Sequence, residues 1–96
     1  MSPPYPSLEQ LFGGYLHQDY RAEHEDVASA VRAYAKDNPA EIAAALIELD
    51  RLRKTLHGPK LAARLERMGL AYDPSAAGET HEQLLDRVRE LLRQPR

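Results

Sequence analysis

The chain has 96 residues, 43% hydrophobic and 29% charged, with no cysteine and a net charge of −2. This composition fits one globular domain with a modest core, and it excludes a disulfide framework and thiolate chemistry. No apolar run approaches the ~20 residues of a membrane span, and Met1-Ser2-Pro3-Pro4 lacks the basic flank and apolar stretch of a signal peptide, so a cytoplasmic protein is expected.

Apolar residues recur at helical spacing and no segment alternates with period two, which predicts an all-α fold: a compact single-domain bundle of about five helices over 1–96, with 1–6 as an N-terminal extension. The first helix is expected after Pro6 with Ser7 as its N-cap, burying Leu8, Leu11, Phe12 and Tyr15. Gly13 and Gly14 each weaken it by ~1 kcal/mol relative to Ala, so they either admit a neighbouring backbone or end the helix. A second helix is expected from about Glu25 to Lys36, with the stripe Val27, Ala30, Val31, Tyr34 and Ala35. Glu23, Glu25 and Asp26 precede it, where negative charge complements the helix dipole.

The third helix shows Asn38 as N-cap, Pro39 at the first helical position and Glu41 completing a capping-box pattern. Its stripe is Ile42, Ala45, Leu46, Leu49, Leu52 and Leu56, and Gly58 ends it. Pro59 opens a fourth helix burying Leu61, Ala62, Leu65 and Met68, stopped at Gly69. Leu70 to Glu79 is expected as the longest and most mobile loop. The fifth helix begins at Thr80, with Gln83 as a second capping-box partner, and buries Leu84, Leu85, Val88, Leu91 and Leu92. Within it, Asp86 and Glu90 are spaced to pair with Arg89 and Arg93.

Charge divides the chain. Residues 1–50 carry nine acids against three bases, a net of −6, and residues 51–96 carry ten bases against six acids, a net of +4. An acidic half can steer a basic partner; alternatively the halves fold together and neutralise one another.

His17, Asp19, Glu23 and His24 combine metal-ligand types, but His17 and Asp19 point to different sides of a helix and no zinc signature is present. No metal and no cofactor is expected. Of the hydroxyls, Ser7 and Thr80 are accounted for as caps, and Gly13-Gly14 lacks the Lys and Ser/Thr of a phosphate loop, so an enzyme is not expected. Arginines at 87, 89, 93 and 96 alternate with acids at a pI of about 6.1. They form a solvated face and not a nucleic-acid surface. Neither nucleic acid nor a membrane is an expected partner.

The segment Tyr5-Pro6, Leu8, Gln10, Phe12-Gly13-Gly14-Tyr15, His17-Gln18-Asp19 resembles the opening of one family of bacterial immunity proteins. These are the CdiI-type proteins, which neutralise the toxins of contact-dependent growth inhibition systems. Leu16 and Tyr20 stand where an aromatic and Trp are usual, and both keep a large apolar body. The later layout is also similar, with an alanine-rich third helix carrying Leu-x-Glu-Leu-Asp at 46–50. The resemblance implies a cytoplasmic inhibitor, oligomeric state open, that binds a cognate toxin domain, commonly a nuclease with a basic surface. Obligate inhibition needs nanomolar affinity, ~12 kcal/mol, which calls for an apolar centre with acidic flanks.

A motif shared among proteins that meet different toxins points to the fold. Tyr5, Pro6, Gly13, Gly14, Tyr15, His17, Gln18, Asp19 and Tyr20 are therefore expected to be mainly structural. The partner surface is expected at the exposed acids Glu23, Glu25, Asp26, Asp37, Glu41 and Glu48. A helical adaptor unconnected with toxins is the alternative.

Overall fold

The computed structural model describes residues 5–16 and 26–94. Among them the helices are α1 (Pro6–Gly14), α2 (Val27–Asp37), α3 (Ile42–Thr55), α4 (Gly58–Arg67) and α5 (His81–Arg93), with 3-10 turns at Pro39–Glu41 and Pro74–Ala77 and no strand. The fold is all-α. The helix α5 lies at its centre, packed on α2, α3 and α4, while α1 packs on α3.

That central place follows from α5's sequence. Leu84, Leu85, Val88, Leu91 and Leu92 are all buried, forming a stripe wide enough to serve several neighbours. Its start is fixed locally: the Gln83 amide donates to the Thr80 hydroxyl at 3.0 Å, and the Thr80 amide donates to Gln83 Oε1 at 2.9 Å. The expected capping box is therefore present.

The other two expected caps do not form. The helix α1 starts at Pro6, inside the stretch expected as an extension, with Tyr5 as N-cap and no side-chain cap. Pro at the first position needs no amide partner, which moves the start one residue ahead of Ser7. Nor does Asn38 cap a helix with Glu41. Pro39–Glu41 make a 3-10 turn and α3 begins at Ile42. Both side chains, like Ser7, are held by distant partners described below.

The glycine pair separates into two roles. The backbone of Gly69 has φ +103°, and a Cβ placed on it would lie 2.6 Å from the Gly13 Cα. A Cβ on Gly13 would lie 3.0 Å from the Met68 carbonyl oxygen, whereas Gly14 meets nothing within 4 Å. Gly13 thus lets the end of α1 pass directly over the end of α4, and Gly14 is the last residue of α1. Just beyond this crossing the Ala71 amide donates to the Leu16 carbonyl at 2.9 Å, tying the two exits together.

The 70–79 segment also holds more structure than expected. Asp73 accepts from the Ser75 hydroxyl at 2.6 Å and its amide at 3.0 Å, capping the turn, and these bonds hold the Asp73 carboxyl below its ordinary range. Asp86 and Arg89 do not pair within α5. Asp86 pairs with Arg53 at 3.1 Å and Arg89 with Asp50 at 3.4 Å, joining α5 to α3. Such exposed pairs contribute at most ~1 kcal/mol each.

Candidate functional site

Where α1 meets α2 and α3, a polar network gathers much of the N-terminal motif. The first amides of a helix lack internal partners, and α1 has no local side chain to serve them. Glu48, reaching across from α3, supplies the acceptor: the Leu8 amide donates to its Oε1 at 3.1 Å. Beside it the Ser7 hydroxyl donates to Glu41 Oε2 at 2.9 Å, and the Tyr34 hydroxyl donates to the Ser7 carbonyl at 3.2 Å.

Further along α1, Gln10 Nε2 donates to Asn38 Oδ1 at 3.1 Å and the Tyr15 hydroxyl donates to Asp37 Oδ2 at 2.8 Å. Asn38 Nδ2 donates in turn to the Tyr15 oxygen at 3.3 Å and to the Tyr34 carbonyl at 3.1 Å, closing the end of α2. The Tyr15 and Tyr34 rings meet edge to face at 5.5 Å. Tyr5 is buried, with the Arg64 guanidinium 5.3 Å above its ring.

Burial pushes the Tyr34 hydroxyl up to about 12, with nearby Glu41 adding to the rise, while burial and the bond to Asp37 raise Tyr15. Above pH ~10 an unfolded chain loses the Tyr34 proton and the folded chain keeps it, so stability present below pH 10 declines as pH rises towards 12. Denaturant melts between pH 8 and 11.5 should show this decline, and Tyr34→Phe should flatten it. A variant with the same alkaline slope as the parent would contradict the assignment.

Four of the six expected partner acids lie in the described residues, and all four have tasks within the fold. Asp26 is exposed and accepts the Ser29 amide at 2.8 Å as the N-cap of α2, a bond that lowers its carboxyl from the ordinary value. Asp37 is exposed but holds Tyr15, and half-buried Glu41 holds Ser7. Glu48 corrects the expectation of exposure outright: it is 6% exposed. It sits at the edge of α3's apolar stripe, turned towards α1's free amides. Glu23 and Glu25 lie outside the described residues, as do His17, Gln18, Asp19, Tyr20 and His24.

Two residues have places in the structure that the sequence reading does not give them. Asn38 joins α1 to α2 in place of capping α3. Ile47 lies off the α3 stripe and is 60% exposed, the one large hydrophobic side chain so exposed among the described residues. A helical projection of α3 already sets Ile47 opposite Leu49 and Leu52, so its position was readable.

A groove of about 280 Å³ between α3 and α5 is lined by Leu49, Asp50, Arg53, Lys54, Leu85, Asp86 and Arg89. A second cavity of about 370 Å³, between the starts of α4 and α5, includes Ser75, Thr80 and His81. There the Ser75 hydroxyl is donated to Asp73 and the Thr80 hydroxyl takes the Gln83 amide, so neither is presented to His81 as a nucleophile. Among the described residues no three His, Asp or Glu side chains are grouped to hold a metal, and no helix is long and apolar enough to cross a membrane.

A small helical bundle whose Asp26, Asp37, Glu41 and Glu48 have tasks in the fold, with Ile47 the one large hydrophobic side chain so exposed among the described residues, has the character of a protein-binding module. The family model described as CdiI immunity protein matches residues 4–92, and the chain belongs to that family, as an immunity protein for a contact-dependent growth inhibition toxin. A search of curated proteins and a search of solved structures each gave no match.

Proposed function

We propose that the chain acts in the cytoplasm by binding a cognate toxin domain, a nuclease with a basic surface, and that it blocks the toxin without chemistry of its own. The family match over nearly the whole chain carries this reading, and the −6 charge of the first half supports a basic partner. The acids divide by task. Glu41 and Glu48 hold α1, whereas Glu23, Glu25, Asp26 and Asp37 supply a field that speeds encounter. Tyr5, Pro6, Gly13, Gly14 and Tyr15 serve the fold, and the same role is proposed for His17, Gln18, Asp19 and Tyr20.

Combining Glu23→Lys, Glu25→Lys and Asp26→Asn, the last chosen because Asn still caps α2, should slow association with the toxin about tenfold at low salt and flatten its salt dependence. Stopped-flow rates unchanged by the triple substitution would remove the electrostatic role. The nuclease assignment is checked separately: the toxin domain should degrade nucleic acid, and an equimolar amount of this chain should stop it. A toxin domain inert towards DNA and RNA would contradict it.

A further inference from the structure

We propose that the outward face of α3, centred on Ile47, is the surface that holds the toxin, and that it receives an apolar patch rimmed by carboxylates. This rests on the reading that the chain binds a toxin domain. A single exposed isoleucine is ordinary on a protein surface, so the argument turns on its surroundings.

Positions 40, 43, 47, 51 and 54 fall on one side of the helical turns, and Ala40, Ala43, Ile47, Arg51 and Lys54 are all exposed. The first three, with Ala40 in the 3-10 turn that leads into α3, form an exposed apolar strip about two turns long with no large side chain of the described residues covering it. The last two extend it as cations, and neither is paired with a carboxylate among the described residues. The acids of this helix are directed elsewhere. Glu48 is buried against α1, and Asp50 is engaged by Arg89.

The face is therefore apolar at one end and positive at the other. This is the reverse of the acidic flanks that the apolar centre was expected to have. A complementary partner brings apolar side chains to Ile47 and carboxylates to Arg51 and Lys54. Lys54 is shared with the α3–α5 groove, which gives room for a partner side chain. Helix α3 suits the task because it is braced on both flanks, by Glu48 on α1 and by the Arg53–Asp86 and Asp50–Arg89 pairs on α5. An anchor on such a rigid element loses little freedom on binding.

The division of labour is then kinetic. The acids of the first half set the rate of encounter, and the α3 face sets the rate of release. The test is surface plasmon resonance of the full chain against the purified toxin domain. Ile47→Asp should raise the dissociation rate about thirtyfold or more and leave association within a factor of two or so, the behaviour of a central anchor. Arg51→Glu with Lys54→Glu should weaken binding by about tenfold. Thermal melts of both variants should match the parent, because all three side chains are solvent-facing.

If the parent binds and both variants dissociate at the parental rate, the α3 surface is overturned while the immunity reading stands. If the charge reversal tightens binding, the carboxylate rim is overturned. If the parent itself fails to bind the folded toxin domain, the immunity reading falls and this inference falls with it.

Discussion

Gly69→Ala is expected to destabilise the protein by about 3 kcal/mol. At φ +103° a side chain strains the backbone, and the new Cβ would lie 2.6 Å from the Gly13 Cα, with backbone rather than a flexible side chain in its way. Strain of ~1–2 kcal/mol and overpacking of ~1–3 kcal/mol combine to that figure. In a domain of this size each 1 kcal/mol moves Tm by ~4–8 °C, so a fall of ~12–24 °C is expected in a circular dichroism melt. The neighbouring glycines grade the effect. Gly13→Ala, 3.0 Å from the Met68 carbonyl, should cost about 1 kcal/mol after its gain in helix propensity. Gly14→Ala, with open space around it, should be neutral or stabilising by up to ~1 kcal/mol. Equal losses at all three positions would contradict the crossing of α1 over α4 as the reason for the glycines.

Glu48→Ala is expected to cost about 2–4 kcal/mol. Truncation removes the acceptor of the Leu8 amide and leaves that donor buried, worth ~1–3 kcal/mol, and it opens a void against α1. Glu48→Gln keeps an acceptor and loses only the charge facing the start of α1, so its loss should stay near ~1 kcal/mol. The pair separates hydrogen bonding from charge in one set of melts. An Ala variant that melts like the parent but no longer binds the toxin would move Glu48 from the fold to the interface.

What the sequence made readable follows from how far apart the interacting groups lie. The burial stripes of the helices were legible because their period is carried within each segment, although Tyr15, Leu46, Leu56 and Ala62 at their edges are only half-buried, and so was the Thr80–Gln83 cap, whose partners are three residues apart. Ser7, Asn38 and Glu41 were misread as local caps for the same reason. They have the residue types of a cap, but their partners lie across the fold, with Ser7 and Glu41 separated by 34 positions and Leu8 and Glu48 by 40. Local propensity yields where tertiary partners satisfy the same groups.

The glycines show the limit from another side. Their cost to a helix announced either close packing or a stop, and only the approach of Gly69 assigns the first to Gly13, while Gly14 has open space around it at the last position of α1. At the candidate surface, residue type misled. Acids look exposed by default, and Glu48 is not. Isoleucine looks buried by default, and Ile47 is not. Helical projection carried the signal at Ile47, which sits opposite the stripe it would have to join to be buried.

The central claim, that the chain is an immunity protein acting by binding, is tested most directly by growth of a host induced to make the cognate toxin domain, with and without this chain. Growth should be restored by the parent and lost again with Ile47→Asp made at the same level. Continued arrest with the folded parent present in excess over the toxin would contradict it.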